Sequence, residues 1–217
     1  MNVLGELFDR LRDLPALVTW AGYVGLFAII FTETGLFFGF FLPGDSLLVT
    51  AGLLISQGLQ IDLVTLGVLL TIAAVAGDTL SYWIGRTSGP RLFAREDSMF
   101  FKRKHLMRAA EFYEKHGSKT IVLARFMPIV RTFAPVVAGA AMMNYRRFWI
   151  YNLVGGIAWI WSMLLAGYFL GSQFPGVGKH LEKVILIVIF LSILPGIISW
   201  LRARKAAAAA PAAGTTP

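Results

Sequence analysis

The stretch ETGLFFGFFLPGDSLL, Glu33 to Leu48, decides how the rest of the chain is read. It is almost wholly apolar, yet it carries two carboxylates, Glu33 and Asp45, twelve residues apart, and Pro43-Gly44 breaks the backbone just before the second. Irregular backbone at membrane depth survives only when it is buried in protein or lines a wet cavity. An ionised side chain there costs at least about 2.5–3.5 kcal/mol on insertion scales. The stretch therefore reads as membrane-embedded but turned away from lipid.

The remainder of the chain supports an all-α integral membrane protein of one domain. It has 217 residues, 57% hydrophobic and only 15% charged, where a soluble domain has about 45–50% apolar and about 25% charged residues. The formal net charge of +8 does not point to nucleic acid. The basic residues sit between hydrophobic blocks, which is a topology signal. No cysteine is present, which excludes disulfides, thiolate nucleophiles and cysteine metal sites. His105, His116 and His180 have no partner at metal-ligand spacing, so neither a metal nor a cofactor is expected.

Residues 1–14 read as an amphipathic helix with Val3, Leu4, Leu7, Phe8, Leu11 and Leu14 on one face, and not as a cleavable signal peptide. Residues 15–201 form the membrane domain. Its first apolar block is Ala16 to Leu42, and the run from Asp45 to Ser56 is too short to cross a bilayer alone. Full spans are predicted at about Leu63–Gly85, Phe148–Gly171 and Val184–Trp200. The segment TIVLARFMPIVRTFAPVVAGAAMM is again apolar, but it is interrupted by Pro128 and Pro135. The tail 202–217 is basic, then low-complexity, and predicted disordered.

An internal repeat orders these pieces. FLP at Phe41–Pro43 matches FMP at Phe126–Pro128, and YWIG at Tyr82–Gly85 matches YFLG at Tyr168–Gly171. The separations are 41 and 42 residues, with Ala51-Gly52 and Ala138-Gly139 between. Each unit reads as a broken, re-entrant hairpin (about 31–56 and 118–143) followed by a spanning helix. Segment 86–119 holds nine basic and four acidic residues and is assigned to the cytoplasm. Arg146, Arg147, Arg202, Arg204 and Lys205 then also fall inside, with both termini. The two hairpins dip from opposite faces, the plan of inverted-repeat transporters. Within the basic segment, FKRKHLMR (residues 101–108) suits an amphipathic helix on anionic inner-leaflet lipid.

The chemistry lies at the breaks Pro43, Gly44, Pro128 and Pro135. Glu33 and Asp45 belong to the first hairpin, Arg125 and Arg131 to the second, and the cost of four such charges points to hairpins that meet near the midplane. The guanidinium fork suits a phosphate or carboxylate, and the carboxylates are candidate proton carriers. Plainer readings stand beside these. Asp45 also reads as a cap of the following helix, the acids and arginines also read as structural ion pairs, and Asp78 is open between a structural and an accessory functional role. Trp20, Trp149, Trp159, Trp161 and Trp200 read as interface anchors or packing, and Gly155-Gly156 as permitting close helix packing.

ETGLFFGFFLPGDSLL, GDTLSYWIGR, HGSKTIVLARFMPIVRTFAPVVAGAAMM and FWIYNLVGGIAW together resemble the DedA family of bacterial membrane proteins, which carry the VTT domain. The resemblance covers about Leu14 to Gly171. It implies opposed re-entrant hairpins, and it matches the family's required carboxylates to Glu33 and Asp45 and its required arginines to Arg125 and Arg131. It further implies lipid transport in the bacterial cytoplasmic membrane. The expected substrate is undecaprenyl phosphate or a phospholipid, bound at Arg125 and Arg131, with Glu33 and Asp45 gating or coupling to protons. The alternative is a proton-coupled exporter of small cations or drugs. An enzyme is not expected, because Ser46 and Thr132 near the breaks have no predicted general base. Ordinary Leu, Phe and Val along the hairpins encode neither lipid chain length nor oligomeric state.

Overall fold

The computed structural model describes residues 13–36, 43–94 and 119–173, with side chains for 13–36, 43–88, 121–127 and 130–173. The N-terminal amphipathic segment up to residue 12, the basic stretch 101–108, the last predicted span at 184–200 and the tail 202–217 lie outside the described residues. The described residues form six helices: α1 (Leu14–Gly35), α2 (Gly44–Ser56), α3 (Leu63–Ala94), α4 (Lys119–Ala124), α5 (Pro128–Ala140) and α6 (Tyr145–Gln173).

Local chemistry sets their ends. Asp13 caps α1 by accepting from the Ala16 N–H at 3.1 Å, with Pro15 in the first turn. Gly22 kinks α1 at φ 54°, a backbone angle that few other residues take at low cost. The helix stops at Gly35 rather than running to Leu42, and Leu36 turns extended. Asp62 caps α3 through the Thr65 N–H and hydroxyl, both at 2.7 Å, while its own N–H donates to the Tyr23 hydroxyl at 2.7 Å. Asn144 caps α6, accepting from the N–H groups of Arg146 and Arg147 at 3.0 and 3.3 Å.

Among the described residues, three helices are long and apolar enough to cross a membrane: Leu14–Gly35, the Leu63–Ser88 part of α3, and Tyr145–Gln173. Helix α3 continues past the predicted end at Gly85 to Ala94, into the basic segment. Helix α2 is apolar but short. The second break falls at Arg125–Met127, between α4 and α5, with Pro128 as the first residue of α5. Pro135 is not a break: it lies inside α5. Because it has no N–H, Pro135 donates nothing to the carbonyl of Arg131 four residues earlier.

Packing is crossed. Helix α2 lies on α6, α5 lies on α3, and α1 also lies on α3. Glycines permit the close approaches. Gly52 abuts the backbone of Leu164 and Tyr168, and Gly139 abuts that of Tyr82 and Arg86. A larger residue would separate these backbones. Leu17, Leu26, Ile30, Leu47, Leu66, Leu70, Ile160 and Leu164 form the main apolar core. Trp20, Val24, Val64, Ile72, Trp149, Val154 and Phe169 face outward, as a lipid-exposed perimeter would.

Candidate functional site

A polar centre lies inside this apolar shell, and the helix ends build it. The end of α1 is seated on α3, where Gly77 lets Phe31, Thr34 and Gly35 approach. The Ser81 hydroxyl lies at 3.0 and 2.9 Å from the carbonyls of Thr34 and Gly35, satisfying acceptors left open where α1 ends. That seating places Glu33 inward, at 1% exposure. A Cβ at residue 44 would meet the Glu33 carboxylate, so glycine there lets the start of α2 pass the carboxylate in this position.

Arg131 reaches into this space from α5. One terminal nitrogen donates to Asp45 Oδ1 at 2.6 Å, and the other pairs with Glu33 Oε1. The Trp159 indole N–H donates to the same Asp45 oxygen at 2.8 Å. The guanidinium lies over the Trp159 ring, 4.7 Å from its centroid, a cation–π distance. Asp45 is therefore not the cap of α2. The capping position is Pro43, which makes no side-chain capping bond, and the carboxylate is committed to Arg131 and Trp159.

A second buried cluster lies alongside. Arg125, in the break between α4 and α5, pairs with Asp78 of α3 and donates to Asn152 Oδ1 of α6. The Asn152 amide donates to the Val75 carbonyl at 3.1 Å. Gly155 and Gly156 do more than admit a helix: a Cβ at Gly155 would lie 2.9 Å from Arg125 Cδ, so these glycines leave room for the arginine side chain. The structure thus separates the two arginines, Arg131 with Glu33 and Asp45, Arg125 with Asp78. The Nε atoms of both arginines, and Glu33 Oε2, are buried without a hydrogen-bond partner.

Sequence reasoning missed Asn152 and Trp159 as members of the site. Their signal was present: a lone asparagine in an apolar span, and a tryptophan seven residues later on the same helical face, at the spanning centre rather than at an end. Among the described residues, no group of three or more histidine, cysteine or acidic side chains could hold a metal ion.

Membrane-length helices around a largely buried cluster of acids and arginines, with two helix breaks at its edge, define a polytopic membrane protein with an internal polar site. The VTT domain family model matches residues 42–169, and the chain belongs to the DedA family. It is 49% identical to Protein DedA of Escherichia coli K12 over 189 residues, 87% of this chain and 86% of that one. It is 46% identical to the uncharacterized membrane protein Rv0364 of Mycobacterium tuberculosis H37Rv, covering 89% and 85%, and 38% identical to the inner membrane protein YghB of Escherichia coli K12, covering 87% and 83%. No solved structure matches at a significant level.

Proposed function

We propose that this protein translocates a lipid phosphate, either undecaprenyl phosphate or a phospholipid, across a bacterial cytoplasmic membrane. The observation that carries this reading is Arg131 held by two carboxylates from the other half of the chain, Glu33 and Asp45. A guanidinium fork that accepts two carboxylate oxygens also accepts two phosphate oxygens. Glu33 and Asp45 are then resident ligands that a headgroup displaces, and their protonation releases Arg131. Asp45 is the exposed member, with 14% of its side chain accessible, so the headgroup enters from its side. Arg125, sealed between Asp78 and Asn152, holds the second break in place rather than touching the headgroup. The lipid tail remains in the bilayer beside the hairpins.

In this reading the segments at about 31–56 and 118–143 are two re-entrant hairpins of an inverted repeat, with both termini cytoplasmic and the basic segment 86–119 inside. The crossed packing of α2 on α6 and α5 on α3 supports it, because each half then completes the other. The mechanism needs no covalent step. Ser46 and Thr132 are buried near the breaks, and all three histidines lie outside the described residues.

The charge count favours a second reading, proton-coupled export of small cations. Among the described residues the three carboxylates Glu33, Asp45 and Asp78 are matched by two guanidinium groups, Arg125 and Arg131, leaving one formal negative charge. Reconstitution in liposomes separates the two. Labelled undecaprenyl phosphate and phosphatidylethanolamine are followed in separate arms with a membrane-impermeant reagent, with and without a pH gradient. Lipid translocation predicts movement of one lipid in wild type and loss in both Arg131→Ala and Arg131→Lys. Cation export predicts no lipid movement, a mild Arg131→Lys, and loss of transport in Glu33→Gln.

A further inference from the structure

Asn152 and Trp159 lie seven residues apart on one face of α6, and each hydrogen-bonds to one of the two buried ion clusters. Their roles differ. Asn152 bonds outward to Arg125 and back to the Val75 carbonyl, so its amide is occupied on both sides and fixes its cluster. Trp159 addresses both partners of the other pair. Its N–H donates to the Asp45 oxygen that also receives Arg131, and its ring lies against the guanidinium.

We propose that Trp159 is a positioning residue that makes the Asp45–Arg131 pair exchangeable, by serving as the donor Asp45 keeps when Arg131 turns to an anionic phosphate group. The inference rests on the headgroup role of Arg131 proposed above. A half-buried carboxylate that loses its protein donors is left only partly solvated, a cost that would hold Arg131 in place. With the indole N–H at 2.8 Å, Asp45 retains one charge-assisted bond after the arginine leaves. The indole ring gives the guanidinium a second contact that does not use its N–H donors, so Arg131 can stay stacked while its donors turn to a new acceptor.

Trp159→Phe tests this, because it keeps an aromatic face for Arg131 and removes only the donor. The full-length protein in detergent is titrated with farnesyl phosphate and, separately, with dihexanoyl phosphatidylethanolamine. Affinity is measured by isothermal titration calorimetry, and the site is followed by 19F resonances of 5-fluorotryptophan protein, the Trp159 signal being the one that remains in every single Trp→Phe variant at Trp20, Trp83, Trp149, Trp161 and Trp200. The proposal expects the wild-type Trp159 resonance to move on saturation with the bound lipid, and Trp159→Phe to bind it roughly tenfold more weakly, the scale of one hydrogen bond to a charged group. A merely structural role lowers the melting temperature of Trp159→Phe and leaves the affinity of its folded fraction unchanged, and that result overturns the proposal. Should Trp159→Phe not fold, a wild-type Trp159 resonance that stays still while lipid binds overturns it equally. Absence of lipid binding in wild type overturns both this inference and the headgroup role of Arg131, whereas unaltered binding in the variant overturns this inference alone.

Discussion

Arg125 and Arg131 look equivalent in sequence, and a double-mutant cycle on Asp78 and Arg125 tests whether they are. Asp78 is 3% exposed and Arg125 is 3% exposed, so neither charge is relieved by water. Removing one partner of such a pair strands the other, at a cost of about 3–5 kcal/mol. Replacing both by neutral groups of similar size is close to neutral. Counting Glu33, Asp45, Asp78, Arg125 and Arg131, the buried centre carries a formal charge of −1. Asp78→Asn brings it to 0, Arg125→Met to −2, and the double variant restores −1. Arg125→Met is therefore the more damaging single change, and the double variant recovers most of the loss. The expected coupling energy is about 3 kcal/mol or more, far above the roughly 0.3–0.5 kcal/mol scatter of independent sites. Stability is read from reversible denaturant unfolding in bicelles, and lipid movement from the liposome assay on the same four proteins. The double variant should transport the lipid, because its Arg131 is untouched. Additive losses, or a well-folded double variant that moves no lipid, would refute the assignment of Arg125 to the scaffold.

Two further outcomes follow from the packing and the caps. Gly52→Leu and Gly139→Leu each drive a side chain into the backbone of the neighbouring long helix and should cost about 1–3 kcal/mol or more, read by the same unfolding measurement, whereas Gly58→Leu, with open space around it, should cost only backbone strain. The capping bonds from Thr65 hold the exposed Asp62 carboxyl below the usual aspartate range. A carboxyl with a lowered folded value adds stability above its unfolded value and loses it as pH falls through the folded one. Asp62→Ala should thus lower the melting temperature at neutral pH, and the gap from wild type should close on acidification; a gap independent of pH would contradict the cap.

Much of the arrangement was legible because membrane burial is written in long apolar runs. The spans from Leu63 and around Phe148–Gly171 were found by length alone, and the Pro43-Gly44 break by its turn residues. Pro135 misled, since proline in a helix interior usually signals an interruption, yet α5 runs through it; the break lies at Arg125–Met127, where Pro128 starts the next helix. Helix α3 ran past its apolar end because helix continuation depends on backbone hydrogen bonds rather than hydropathy: Arg86 and Thr87 leave them intact, and Pro90 within the helix removes one donor without ending it. Charges at membrane depth marked Glu33, Asp45, Asp78, Arg125 and Arg131, but pairing is a tertiary property. Nothing in spacing told Arg125 to choose Asp78, and Trp159 resembled an anchor because hydropathy does not register where an indole N–H points.

The crossed packing explains why the polar centre sits where it does. Val49-Thr-Ala-Gly52 on α2 and Val136-Val-Ala-Gly139 on α5 use one device: the valine carbonyl faces a glycine of a long helix, Gly167 or Gly85, and the glycine three residues on faces that helix's backbone. The two contacts share one local geometry: Gly139 lies against the Tyr82 carbonyl and the Arg86 backbone nitrogen, and Gly52 lies against the Leu164 carbonyl and the Tyr168 backbone nitrogen. The short helices are clamped to different long helices, α2 to α6 and α5 to α3, and Arg131–Asp45 bridges from one short helix to the other. A slide of either by a turn displaces it about 5.4 Å, more than a 2.6 Å hydrogen bond can follow. Any such slide must therefore first break the Arg131–Asp45 bond, and whatever stabilises Asp45 without Arg131, or Arg131 without Asp45, lowers the barrier to it.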